Sequence, residues 1–190
     1  MIAKEMFKRI LITAGFILTA AFNCFSASTG TITLSVTVYP ELQIDVWYLN
    51  TAVSSYDFGT LGVSETSITV SSITVENSSD GLTEDWYIRA TDAKGVGTNW
   101  TLADAIGTNQ YKLEALLSGN DQPVSGSFNG NDLTTTSQAM TSLKFADGEN
   151  GENVSSNSTR GLWFRINTPS EVSSTSQKTI WVTIVASQGG

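Results

Sequence analysis

The sequence predicts an all-β protein: a single antiparallel β-sandwich of immunoglobulin-like layering, with about nine strands. Three observations predict it. Apolar and polar residues alternate with a period of two in segment after segment. Turn-forming Gly, Asn, Asp and Ser separate those segments at short spacing. No stretch beyond residue 27 keeps a helical period.

The elements follow in order. Thr31 to Val38 sets Ile32, Leu34, Val36 and Val38 against four hydroxyl residues, the pattern of a half-buried strand. Tyr39-Pro40 ends or turns it. Leu42 to Tyr48 alternates again through Leu42, Ile44 and Val46, and 50–55 is a link. Tyr56 to Gly62 reads as a short edge segment broken by glycines. Ser67 to Glu76 is a strand whose alternation fails at Ser71-Ser72, which predicts a bulge or a change of sheet. A turn follows at 77–81, then a strand with Trp86, Ile88 and Ala90 on one face. Asp92 to Gly97 reads as a loop, and Trp100 begins the next strand. Ala103 to Ile106 has room for a single helical turn. Tyr111, Leu113 and Ala115 share one face of a strand running to Leu117. The middle is loop-rich, Ser142 to Ala146 is a candidate short strand, and 147–159 is a long polar loop. Leu162 to Asn167 and Lys178 to Ala186 are the last strands, the latter opposing Ile180, Val182 and Ile184 to Trp181, Thr183 and Val185.

The N-terminus reads as an export signal. Lys4, Lys8 and Arg9 precede an apolar run from Ile10 to Phe22, and small residues follow at Cys24, Ser26 and Ala27. The run is shorter than the roughly 20 residues that span a bilayer. The domain expectation is therefore a signal peptide, a short helix, over 1–27 and one β-sandwich domain over 28–190. The expected location is secreted: periplasmic, cell-surface or extracellular, with no stable membrane insertion after cleavage. Loss of the leader removes the one cysteine, Cys24, and shifts the net charge from −8 to −10. So acidic a chain is not expected to bind nucleic acid, which needs Lys and Arg against phosphate.

Chemistry has little to work with. There is no histidine to serve as the general base of a nucleophilic serine. Glu84 and Asp85 are neighbours entering a strand, so their carboxylates diverge rather than face each other across a cleft. No catalytic residue and no cofactor are expected. Asp147, Glu149 and Glu152, in a glycine-containing polar run, are hard oxygen donors of the kind Ca²⁺ takes, yet they miss the EF-hand spacing, and a solvated loop is the competing reading. Trp47, Trp86, Trp100, Trp163 and Trp181 serve either as core and edge cover or as a glycan-stacking platform. Four Asn-x-Ser/Thr sequons begin at Asn77, Asn99, Asn153 and Asn157.

Asp92-Ala93-Lys94-Gly95-Val96-Gly97-Thr98-Asn99-Trp100-Thr101-Leu102 resembles the first signature of WxL-type bacterial surface domains, carried by Trp100 and Leu102. Tyr56 to Leu61 is similar to the Phe-Gly element of the same domains, and Trp181 stands where their second motif would be, without the Leu two residues on. The chain also resembles secreted pilin subunits of the spore-coat-U type, in that same Phe-Gly element and in the alternating strand Thr179 to Val185. Those subunits normally carry disulfides, which a chain without Cys24 cannot form. The resemblance implies a surface structural or adhesion-type protein with protein partners or self-assembly, a pilus or surface-layer subunit among the forms it takes. Thr31 to Val38 would then be available for β-strand addition to a neighbour, against the alternative of an ordinary first strand. A carbohydrate- or cell-wall-binding module is the competing expectation, with cell-wall glycan as partner.

Overall fold

The chain folds through short strands, several only two residues long. The structure is a computed structural model that describes residues 41–49, 51–52, 55–119 and 121–190. The expected leader helix and the Ile32, Leu34, Val36 and Val38 strand lie outside the described residues.

In order the strands are β1 Ile44–Tyr48, β2 Thr51–Ala52, β3 Thr66–Ile68, β4 Ile73–Asn77, β5 Glu84–Ala90, β6 Lys94–Gly95, β7 Thr101–Leu102, β8 Gln110–Leu117, β9 Gln138–Ala139, β10 Thr159–Asn167, β11 Lys178–Thr179 and β12 Val182–Gln188. A single 3₁₀ turn, Ser125–Phe128, is the one helical element among the described residues. The fold is therefore nearly all-β.

The larger sheet runs β2-β1-β4-β10-β8-β7, with β3 also on β10. A three-stranded sheet runs β12-β5-β9, and β6 and β11 form a ribbon. Among the described residues all strand-to-strand pairings are antiparallel except one, and two isolated bridges, Thr108 to Glu171 and Leu117 to Ala146, are also parallel. β7 runs parallel to β8, Thr101 beside Gln110 and Leu102 beside Tyr111. The purely antiparallel expectation is corrected there. Parallel neighbours usually need a long crossover. This pair has only two rungs, so the connection 103–109 suffices. It is pinned by Gly107 and Gln110, which exchange backbone hydrogen bonds of 3.2 Å in both directions.

Two long apolar runs each divide. Ser67 to Glu76 becomes β3 and β4, and both pair with β10: Ile68 faces Arg165 and Ile73 faces Leu162. Residues 69–72 thus span only Trp163 and Phe164, a bulge within one sheet rather than a change of sheet. Thr69 fills it, donating its N–H to Phe164 O at 3.0 Å and accepting the Phe164 N–H on its hydroxyl at 3.2 Å. Lys178 to Ala186 divides at Ile180-Trp181, so that β11 pairs with β6 while β12 pairs with β5.

Three local expectations change. Tyr56 to Gly62 is not a strand: Asp57 Oδ1 accepts the Gly59 N–H at 2.8 Å, closing a turn in which Gly59 has φ +74°. Ser142 to Ala146 forms a turn, with only Ala146 bridging to Leu117. Ala103 to Ile106 is not helical.

Both sheets send side chains into one apolar cluster. β5 contributes Trp86, Ile88 and Ala90, β4 contributes Ile73 and Val75, and β8 contributes Tyr111, Leu113, Ala115 and Leu117. Leu162, Phe164 and Ile166 of β10 complete it, plugged by Leu133, Met140, Phe145 and Val154 from the loops. Burying each large side chain is worth about 1.5–3 kcal/mol. The opposite face of β8 and β10 is covered as well. There Leu116, Trp163 and Phe128 of the 3₁₀ turn form a second, smaller cluster with Ile68 beside it. That is why β8 is buried at nearly every position, where alternation alone predicts one buried face.

Candidate interaction site

The Trp100-Thr101-Leu102 element is built as a clip. Ala93 and Trp100 exchange backbone hydrogen bonds of 2.9 and 3.1 Å, so residues 94–99 project as a tight loop. Asp92 Oδ1 accepts the Leu102 N–H at 3.0 Å. Lys178 Nζ donates to Val96 O at 2.8 Å, and the Ser174 and Ser176 hydroxyls donate to the same carbonyl. Trp100 and Leu102 are half-buried and pack on the main core. The Trp100 ring lies 6.4 Å from that of Tyr111, whose hydroxyl donates to Thr91 O at 2.5 Å. Burial, with the Asp92 charge adding, pushes the Tyr111 phenol well above its ordinary range. The element joins the end of β5 to the edge of the larger sheet. Its geometry holds chain segments together.

On the outer face of β8 and β10 sits a polar network that the sequence reading did not single out. Arg165 binds Glu114 with two nitrogens, Nε to Oε2 and Nη2 to Oε1, both at 2.5 Å. Its Nη1 also donates to the carbonyl and hydroxyl of Ser125, and its guanidinium lies 5.4 Å from the Phe128 ring centre. Lys112 Nζ lies 3.1 Å from Glu114 Oε1 and 2.8 Å from Asp132 Oδ1, and Asn167 Nδ2 donates to Glu114 Oε2 at 3.2 Å. Burial pulls the Lys112 pKa down, but the hydrogen bonds and charges of Asp132 and Glu114 outweigh it, so the pKa is raised. Glu114 is 0% exposed. With the Glu114 carboxylate occupied by three neighbours, the network locks the 3₁₀ turn onto the sheet. A charge within Leu113-Glu114-Ala115 and another within Phe164-Arg165-Ile166 were the available signal, legible only once cross-strand register is known.

The acids read as Ca²⁺ donors are not brought together. Glu149 Oε2 accepts the Gly161 N–H at 3.1 Å, Glu152 Oε2 accepts the Ser142 N–H at 2.7 Å, and Asp147 is exposed. Among the described residues no three acids gather as a cation site. Glu84 and Asp85 diverge: buried Glu84 accepts from Trp86 Nε1 at 2.8 Å and from the Gln43 N–H at 3.0 Å, while Asp85 accepts from the Asn153 N–H at 2.7 Å. Trp86 and Trp163 are buried, Trp47 and Trp100 half-buried, and Trp181 alone is exposed, at 54%. Of the sequons, Asn77 is buried and its amide donates to Leu82 O and Val154 O, while Asn99, Asn153 and Asn157 are exposed.

The remaining site is the free side of β12. Among the described residues β12 pairs only with β5, from Val182 beside Ala90 to Gln188 beside Glu84. Trp181 O accepts the Thr91 N–H, and the Gly189 N–H donates to Thr83 O. Both are odd positions of the same register. Hydrogen-bonded residues alternate along an antiparallel ladder. Val182, Ile184, Ala186 and Gln188 therefore direct N–H and C=O away from β5. Val182, Ile184 and Ala186 pack only partly on the core, and Val185 on the other face is 47% exposed. The strand carries no charge, no proline and no bulge, the features that usually blunt an edge.

No protein-family model, curated protein or solved structure matches this chain.

Proposed function

We propose that this is an exported, non-catalytic structural or adhesion-type protein of the cell surface or extracellular space that acts through protein–protein contacts. Its two facing sheets are read as an immunoglobulin-like or pilin-like sandwich, and a pilus or surface-layer subunit is the form this reading takes. The observation that carries it is the β12 edge left unpaired among the described residues, four outward-directed backbone positions on an uncharged strand. The leader-like N-terminus, the absence of histidine and the WxL-like and spore-coat-U-like segments support the same reading. A glycan-stacking platform needs at least two exposed rings. Trp181 is the single exposed indole among the described residues, so protein contact is the better supported class.

The test is size-exclusion chromatography with light scattering on the exported chain, alone and with purified cell wall. Oligomers or filaments from the protein alone are the expected result. A monomer retained by wall polysaccharide would support the carbohydrate-binding alternative instead. A monomer inert in both settings would overturn the proposal.

A further inference from the structure

The edge of β12 that is unpaired among the described residues is complementary to itself. Its outward positions are Val182, Ile184, Ala186 and Gln188, evenly spaced about Val185 at the centre. An antiparallel copy turned about a two-fold axis at Val185 would set Ile184 opposite Ala186 of the second copy and Val182 opposite Gln188 of the second copy. Each of these is a hydrogen-bonded pair, and together they form about eight backbone hydrogen bonds without moving the β5 ladder. We infer that β12 joins β12 of a second copy, continuing the three-stranded sheets of two molecules into one six-stranded sheet. The inference rests on the protein-contact reading above and names its partner.

For an acidic chain, this strand is where a second copy meets the least charge opposition. The chain carries 18 Asp and Glu against 10 Lys and Arg, so two copies repel across most of their surface. The seven residues of β12 are neutral and approach without that cost. The outward faces add apolar area where the copies meet, Val185 against Val185 of the second copy, with Trp181 beyond one end. A symmetric interface of this kind closes on itself as a dimer, so a pilus or surface layer would be built from such dimers through a second contact.

A single cysteine reads the register. In a full chain carrying Cys24→Ser, Val185→Cys places two thiols at a non-hydrogen-bonded pair on the two-fold axis. The Cα separation there, about 4.5 Å, suits a disulfide. Thr183→Cys places them about four rungs apart, beyond disulfide reach. Mild oxidation with copper phenanthroline should give at least about tenfold more cross-linked dimer for Val185→Cys than for Thr183→Cys. Ala186→Pro removes one outward N–H and spares the β5 ladder, so it should shift the light-scattering mass from dimer to monomer with an unchanged circular dichroism spectrum. Equal cross-linking at 183 and 185, or none at 185, would overturn the β12–β12 pairing. If oligomers persist in that case and vanish on deletion of residues 28–39, the pairing fails while the protein-contact reading stands. A monomer in every setting removes both.

Discussion

The middle of the larger sheet and the outer edge of the smaller one treat the same kind of strand in opposite ways. β8 and β10 are paired on both sides and buried on both faces, and they carry charges inside: Glu114 and Arg165 meet there in a two-point ion pair. Among the described residues β12 is paired on one side only, and it is half-covered on its core face and carries no charge. A strand that is closed all round can hold charged groups because the fold supplies every partner they need. A strand with an open side cannot guarantee a partner, and here it is built from groups that need only another backbone. The closed region is where stability is concentrated, and the open one is where a contact can be made at little cost to the fold.

Removing one member of the closed network should have the largest effect. Glu114→Ala leaves Arg165 buried with no anion, and stability should fall by about 3–5 kcal/mol in denaturant titration. The double variant Glu114→Met, Arg165→Leu should recover most of that loss, because it removes both charges together. If the single variant costs less than about 1 kcal/mol, the contrast between the two regions is wrong.

Alkaline pH should act next. The folded-state pKa values of Lys112 and Tyr111 are both raised from ordinary values of 10.5 and 10.0. A group whose pKa is higher in the folded than in the unfolded chain contributes stability that is whole below the unfolded value. That contribution is lost as pH rises through the folded value. Thermal midpoints should therefore hold to about pH 9.5 and fall steadily above pH 10. Tyr111→Phe and Lys112→Met should each flatten part of that fall. A midpoint unchanged up to pH 12 would contradict the assignment.

The smallest change should come from the edge. Val185→Thr keeps the branched shape on a half-exposed position, and the stability of the isolated subunit should move by less than about 0.5 kcal/mol. A larger loss measured at low protein concentration would mean that β12 is as enclosed as β8.

How much of this was legible in the sequence depends on the range of the interaction. The period-2 runs placed β5, β8, β10 and β12, and for β5 and β8 they also gave a buried face, because alternation is set by the strand itself. Trp86, Ile88 and Ala90 are buried as that alternation predicts, as are Tyr111, Leu113 and Ala115. The Ser71-Ser72 irregularity marked the bulge opposite Trp163 and Phe164. The two-residue strands β2, β6 and β9 left no pattern to read, because two residues are too few to alternate. Of the candidate site, Trp100 and Leu102 were visible as a motif, but their role as a clip depends on Asp92 and on Lys178, the latter 82 residues from the Val96 carbonyl it binds.

Composition and local order by themselves determined the β class, the leader-like start, the acidity, and the lack of histidine and of a second cysteine. Each of these is a property of residues or of their nearest neighbours. Only the tertiary structure decided that Glu114 finds Arg165, 51 positions away, that the acids of 147–152 turn to separate backbone amides, and that one edge of β12 is left without a partner among the described residues. Pairing between distant strands sets those outcomes, and register and sheet order are written in no single segment of the chain.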